Sequence, residues 1–201
     1  MSLKYFVHVS SINNLSDARY CSGMMVNSLG FDLDENSNNK LSIENINDIC
    51  GWVNGVDFVG EFNNSSSTYI NSIIDKIDFE YISININKSI KNVDFDNKKI
   101  LVLIPDPKLI TQKINDHLMN FFPDSRTIII DNMSKNSISK LEILDNNFEI
   151  IISPIENINT TKSFLDKFNL GLLLKGSHEI RPGYKDYDLI SDYLEAIDES
   201  F

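Results

Sequence analysis

The chain has 201 residues, 42% of them hydrophobic, and a formal net charge of −11. That length suffices for one well-buried core and is short for two independent domains. The charge favours solubility and repels nucleic acid and anionic membrane surfaces, so an anionic small molecule needs a locally basic pocket.

Short apolar or β-branched runs recur at intervals of roughly 20 to 30 residues, the spacing of successive strand-plus-helix units. In chain order they are Tyr5 to Val9, Val26 to Phe31, Val56 to Phe62, Tyr81 to Ile86, Ile100 to Ile104, Thr127 to Ile130, Ile150 to Ile152 and Leu170 to Leu174. Most are nearly continuous in apolar character, as parallel strands covered on both faces are. Helical spacing fills the gaps. Ser42 precedes a stretch with Ile43, Ile46, Ile49 and Val53 on one face, and Ser66 and Ser67 precede Tyr69-Ile70. Asn87 to Asn97 reads mostly as loop and is the weakest helix. Leu109, Ile110, Ile114, Leu118 and Phe121 share a face, and Ser134 or Ser137 precedes Ile138. The closing stretch Tyr187 to Ile197 repeats the pattern with Leu189, Ile190, Tyr193 and Ile197. Strict alternation over about eight units in this length predicts a single α/β domain over residues 1–201, a closed (β/α)8 TIM-type barrel. A doubly wound dinucleotide fold is the rival, but no GxGxxG follows any strand.

Cys21 and Cys50 are the only cysteines and fall in helical stretches, so they read as free thiols. With His8, His117 and His178 at unrelated spacings they form no zinc signature, and neither a metal nor a cofactor is expected. The N-terminus has no basic flank followed by an apolar run. No apolar stretch approaches the roughly 20 residues that span a bilayer. The expected location is the cytoplasm. Asparagine clusters such as Asn13-Asn14, Asn63-Asn64 and Asn146-Asn147 sit where turns are expected.

Barrels of this kind place chemistry at the carboxyl ends of their strands. Here those ends carry Ser10-Ser11, Asp32 and Asp34, Glu61 and Asn63, Asn85, Asp106, Asp131, Ser153, and Lys175-Gly176-Ser177. Strands emerging into solvent end in polar residues anyway, which accounts for most of these. Glu61 lies inside an otherwise apolar strand, and Asp131 directly ends Ile128-Ile129-Ile130. Both are candidate general acids or bases, and Lys175 is a candidate counter-ion, anion ligand or, last in order, Schiff-base amine.

Order and spacing also carry a resemblance. Val7-His8-Val9-Ser10-Ser11-Ile12-Asn13-Asn14-Leu15-Ser16-Asp17-Ala18-Arg19 resembles V-K-I-C-G-I-T-N-x-x-D-A, the opening of phosphoribosylanthranilate isomerase. Gly30-Phe31 with Ser37 to Glu44 resembles the family's G-F and S-P-R-Y-V-S-P-E, and Val59 to Asn64 is similar to V-G-V-F-x-N. Ile129-Ile130-Asp131 looks like L-L-D, and Lys175 to Asp186 follows S-S-G-V-E-x-x-P-G-x-K-D. The matches run in register over nearly the whole chain. The resemblance implies an Amadori rearrangement of an anthranilate-bearing ribose 5-phosphate in tryptophan biosynthesis. In that family an aspartate acid protonates the ring oxygen, a cysteine base removes the proton at the adjacent carbon, and glycine-rich loops hold the phosphate.

On that pattern Asp131 takes the acid's position and Ser10 the cysteine's; a serine is much less acidic than a thiol and needs a nearby base. His8 shares the strand face of Ser10, but a spacing of roughly 7 Å is too long for direct activation. Asn39 replaces the arginine of S-P-R-Y, a ligand for the substrate's carboxylate. Asn85 lies in Ser83-Ile84-Asn85-Ile86, where the family has Q-L-H-G. Asn132-Met133-Ser134-Lys135 stands in place of G-G-T-G, and Ser153-Pro154 in place of a glycine pair. Lys175-Gly176-Ser177 keeps a small-residue loop and adds a positive charge. The resulting expectation is a family member with weak or lost isomerase activity. Its catalytic positions are Asp131 and Ser10, and its candidate ligand contacts are His8, Asn39, Glu61, Asn85, Lys175, Gly176 and Ser177. The ligand is a small phosphorylated or carboxylated metabolite; the oligomeric state is open. The alternatives are a working isomerase that uses Asp131 with a different base, and a non-catalytic small-ligand-binding barrel.

Overall fold

Eight parallel strands close into a barrel in sequence order, with β1 paired to both β2 and β8. The structure is a computed structural model that describes residues 2–38, 40–87, 93–95, 98–122, 125–176 and 187–199. The strands are β1 (Val7–Ser10), β2 (Ser28–Asp32), β3 (Asp57–Phe62), β4 (Tyr81–Asn85), β5 (Lys99–Ile104), β6 (Thr127–Ile130), β7 (Glu149–Ile152) and β8 (Gly171–Lys175). The helices are α1 (Leu15–Gly23), α2 (Ile43–Trp52), α3 (Ser67–Ile74), α4 (Gln112–Phe121), α5 (Ile158–Phe168) and α6 (Asp188–Ala196).

Every expected strand is present, each within two residues of its expected limits. The helices differ more. No helix lies between β4 and β5 among the described residues, where residues 88–92 and 96–97 are outside the description. The helix expected from Leu109 is split: Pro107–Leu109 forms a 3₁₀ turn, and α4 starts only after Thr111, whose hydroxyl accepts from the Ile114 N–H. After β6 the chain winds as a 3₁₀ helix, Lys135–Ile143. At its start the Ser134 N–H donates to the Ser137 hydroxyl, which in turn donates to the Ser134 carbonyl, a local exchange that competes with α-helical pairing. In α6 the buried stripe is Ile190, Tyr193, Leu194 and Ile197, whereas Leu189 is exposed. Leu194 takes the place expected of Leu189 because spacings of three and four residues keep one face.

Alternation along the strands produces two separate apolar regions. The outward residues of the strands, among them Val9, Phe31, Ile84, Ile104, Ile130 and Leu174, pack under the helices with Ile46, Ile70, Leu118, Leu165 and Leu194 in the main core. A second, smaller cluster fills the barrel itself. It consists of Leu101, Ile129, Ile151 and Leu173, with Tyr81 and Leu103 against it. The inward residues of β1 to β3 include His8, Ser28 and Glu61, all buried.

Helix starts are fixed as the sequence implies. Ser42 accepts from the Asn45 N–H and Ser66 from the Tyr69 N–H, each satisfying a first-turn donor. At the end of the chain, Tyr187 precedes α6 and lies 4.4 Å, ring centre to ring centre, from Tyr20 of α1. Its hydroxyl donates to the buried Asp17 at 2.8 Å. Burial, then the Asp17 carboxylate, pushes the Tyr187 phenol well above its ordinary value.

Candidate functional site at the barrel mouth

At the carboxyl ends of the strands lies a cavity of about 130 Å³ lined by His8, Ser10, Ser11, Glu61, Asn63, Ser83, Leu103, Ile129, Asp131, Leu173 and Lys175. Its floor is the top of the inner aliphatic cluster on one side and polar on the other. A larger open groove, lined by Asn71, Asp75, Asp78 and Lys98, contains none of these strand-end groups.

Glu61 is the most constrained carboxylate in the cavity. It is 6% exposed, its Oε1 lies 3.1 Å from His8 Nε2, and its Oε2 accepts from the Ser11 N–H at 3.1 Å. His8 is fully buried, and its Nδ1 lies 2.8 Å from the Ser28 hydroxyl. A carboxylate against Nε2 calls for the ring proton there, so that Nε2–H donates to Glu61. Two backbone features make room for this chain. Ser11 has a φ of 58°, which turns its N–H toward Glu61, a costly conformation for a residue with a Cβ. Gly30, the β2 neighbour, leaves space for the carboxylate: a Cβ there would lie 2.1 Å from Glu61 Oε1.

The second charged pair joins β6 to β8. Lys175 Nζ lies 2.5 Å from Asp131 Oδ2, with side-chain exposures of 56% and 18%. Asp131 Oδ1 accepts from the Asn132 N–H at 2.8 Å. Asn132 adopts a φ of 54°, which asparagine tolerates, and its side chain donates to the Pro105 carbonyl. In this ion pair Asp131 is an acceptor and Lys175 is the proton donor.

Ser10, half-buried at the end of β1, faces the same cavity, and the other polar side chain of that strand face, His8, is engaged by Ser28 and Glu61. Gly176 has a structural task. Its N–H donates to the Ser10 carbonyl, and a Cβ there would lie 2.8 Å from the Ser11 carbonyl oxygen, so only glycine lets β8 close against β1. Asn85 does not line the cavity; its side chain accepts from the Asn87 N–H in a local turn. Asn39, Ser177 and the rest of the motif through Asp186 lie outside the described residues.

Other strand-end groups tie loops together. Asp34 accepts from the Asn64 N–H and the Ser65 hydroxyl, Asp32 from the Asp34 N–H and the Ser37 hydroxyl, and Ser153 from the Met133 N–H. The thiols are far from nucleophilic: Cys21 is buried, and burial pushes the Cys50 thiol up to about 12. Among the described residues no group of three His, Cys, Asp or Glu side chains could hold a metal, and no helix is long and apolar enough to cross a membrane.

No site role follows from the sequence for Ser83, which lines the cavity, or for Ser28, which lies beneath it against His8; both fall on the inner face by register, paired with Glu61 and His8 respectively. The inner-face parity of His8, Ser28 and Glu61 was the available signal, once Gly30 is seen to leave space between them.

No family model and no curated protein matches the chain at the level of sequence. Solved structures do. Phosphoribosyl anthranilate isomerase from Thermotoga maritima superposes with a TM-score of 0.73 at 17% identity, covering 96% of this chain and 98% of that one. A phosphoribosyl anthranilate isomerase in complex with reduced 1-(o-carboxyphenylamino)-1-deoxyribulose 5-phosphate gives a TM-score of 0.71 at 16% identity, with coverages of 96% and 98%. Orotidine 5′-phosphate decarboxylase from Pyrococcus horikoshii OT3 gives 0.66 at 7% identity, with coverages of 96% and 99%. At such identities the likeness is one of fold: this chain is a single (β/α)8 barrel of the kind seen in the phosphoribosylanthranilate isomerases.

Proposed function

We infer that this barrel is a small-ligand site in which the Amadori rearrangement is weak or lost. The observation that carries the reading is the Asp131–Lys175 ion pair at the mouth, with serine rather than cysteine at the end of β1. An acid that must protonate a ring oxygen has to carry the proton itself, and an aspartate paired with an ammonium group is an acceptor. The base position is altered as well. A hydroxyl needs a general base within hydrogen-bond reach, and no hydrogen bond joins Ser10's hydroxyl to His8, which is committed to Ser28 and Glu61, or to Glu61 itself. The described strand-end groups line a cavity of about 130 Å³, room for a small ligand. Lys175 is the one Lys or Arg among the described residues that line the cavity; it is paired with Asp131 and shares the site with Glu61, so the described lining favours a small neutral ligand over an anion.

The test is the loss of anthranilate-derivative fluorescence when purified protein is incubated with phosphoribosylanthranilate. The expected rate stays within about tenfold of the Asp131→Asn variant, and Ser10→Cys raises it. Robust turnover by the wild-type chain, abolished by Asp131→Asn, would establish a working isomerase with a different base and overturn the reading.

A further inference from the structure

We propose that Glu61, held in place by His8, is a general base, and that the mouth cavity enolises small α-hydroxycarbonyl compounds with Lys175 facing the oxygen that becomes negative. The proposal rests on the reading of the mouth as a small-ligand site and adds a reaction class and a set of roles.

The carboxylate is the first argument. An ionised carboxylate offers about four acceptor positions, and in Glu61 only two are engaged, one by His8 Nε2 and one by the Ser11 N–H. The side chain is therefore fixed in direction yet free to accept a proton from the cavity it lines. Fixed direction is what a proton-transfer group needs, and burial keeps water from competing. His8, fully buried and anchored by Ser28, acts through Glu61 as a positioning residue. Where the resembling family pattern reads K and V, this chain has His8 and Glu61, so the two partners occur together.

The second argument is an unmet acceptor. Asn63 Oδ1 is buried, has no hydrogen-bond partner, and belongs to a residue lining the same cavity. Buried acceptors without partners are uncommon and call for an explanation. A ligand hydroxyl supplies one. The third argument is charge and size. Lys175, half-exposed and paired with Asp131, lines the cavity from β8 with ammonium protons left to donate, while Leu103, Ile129 and Leu173 line it with apolar surface. A cavity of about 130 Å³ is near the roughly 150 Å³ that admits benzene, about six non-hydrogen atoms. Glycolaldehyde and dihydroxyacetone fall within that limit.

The step balances without a co-reactant. Glu61 takes the proton from the hydroxyl-bearing carbon next to the carbonyl. The C–H pair becomes the new C–C π bond, and the carbonyl π pair moves onto oxygen, whose charge meets the Lys175 ammonium. Return of the proton to the carbon it left regenerates the carboxylate and the starting compound; return to the other carbon, once the hydroxyl proton has passed to the enolate oxygen, regenerates the carboxylate and leaves the isomeric hydroxycarbonyl compound.

The experiment follows deuterium uptake by proton NMR in D₂O, with dihydroxyacetone and glycolaldehyde as probes and the full chain as catalyst. Wild type is expected to exchange the carbon-bound protons at least tenfold faster than buffer. Glu61→Gln, which keeps a hydrogen-bonding side chain, is expected to fall to the buffer rate. Lys175→Met, at a half-exposed position, is expected to lose at least tenfold while retaining the wild-type melting curve. His8→Gln is expected to lower the rate and shift its pH profile, which a purely structural role would not do. Exchange at the buffer rate in wild type, or unchanged exchange in Glu61→Gln, overturns the proposal. If Glu61→Gln does not fold, Lys175→Met decides: an unchanged rate there overturns it. Turnover of phosphoribosylanthranilate is read in a separate assay, so failure of the small-ligand reading and failure of this one are distinguishable.

Discussion

From β5 round to β8 the barrel interior is filled by Leu101, Leu103, Ile129, Ile151 and Leu173, whereas from β1 to β4 it holds His8, Ser28, Gly30, Glu61 and Ser83 beside the apolar Val59 and Tyr81. The aliphatic half is held by burial, which is roughly proportional to area and indifferent to direction. The polar half is held by hydrogen bonds that run Ser28 to His8 to Glu61 to the Ser11 N–H, each with a set geometry. Such a chain is stable only when all of its members are satisfied. The difference separates two tasks within one small barrel: one side supplies cohesion, and the other fixes a carboxylate at the mouth.

The largest test of that division is a double-mutant cycle on the chain. Glu61→Leu removes the acceptor of both His8 Nε2 and the Ser11 N–H, and leaving one buried and one part-buried donor unpaired is expected to cost about 3 kcal/mol in urea unfolding. His8→Leu combined with Glu61→Leu is expected to cost less than the sum of the two single substitutions, because each single one already breaks the His8–Glu61 contact. The polar half would then act as one coupled unit. Strict additivity would break the comparison, since it would mean that His8 and Glu61 do not act as a unit.

The barrel itself was legible in the sequence, because burial on both faces of each strand writes itself as runs such as Ile128-Ile129-Ile130. The helices were less so. Lys135–Ile143 carries helical spacing but winds as 3₁₀, since serine hydroxyls exchange hydrogen bonds with the backbone at its start. The candidate site was legible as a set of residue types and not as contacts. Asp131 and Lys175 were visible at strand ends, and their pairing follows from β6 and β8 converging at the mouth. The His8–Glu61 contact spans 53 residues and depends on Gly30, whose role is invisible until the register places it beside Glu61.

Gly30 therefore gives the next test. Gly30→Ala puts a methyl group where Glu61 Oε1 and Cδ now lie, 2.1 and 2.5 Å from the added carbon. The carboxylate has to swing out of its place and lose its contacts to His8 and Ser11, an expected cost of about 2 kcal/mol. The imidazole NMR signals of His8 are expected to shift with it, while methyl signals of Ile129 and Leu173 stay near their wild-type positions. A shift spread equally over both sets would show that the halves are not mechanically separate.

The smallest effect lies at the foot of the polar half, where β3 begins. Burial, then the nearby Glu80 carboxylate, raises the Asp57 carboxyl above its ordinary value, with Lys99 opposing. A raised folded-state value means that the folded protein holds this proton more tightly than the unfolded chain does. The stability contributed is therefore full below the unfolded value of about 4 and is lost as pH rises through the folded one. At neutral pH the ionised Asp57 is a mild liability, reduced by its exposure to solvent. Asp57→Asn removes that liability without changing shape. The expected result is a small rise in Tm at about pH 7 that shrinks to nothing by about pH 3. A benefit that instead grew in acid would mean that Asp57 is stabilised as an anion, and that polar groups at the foot of the barrel are paired as fully as those at its mouth.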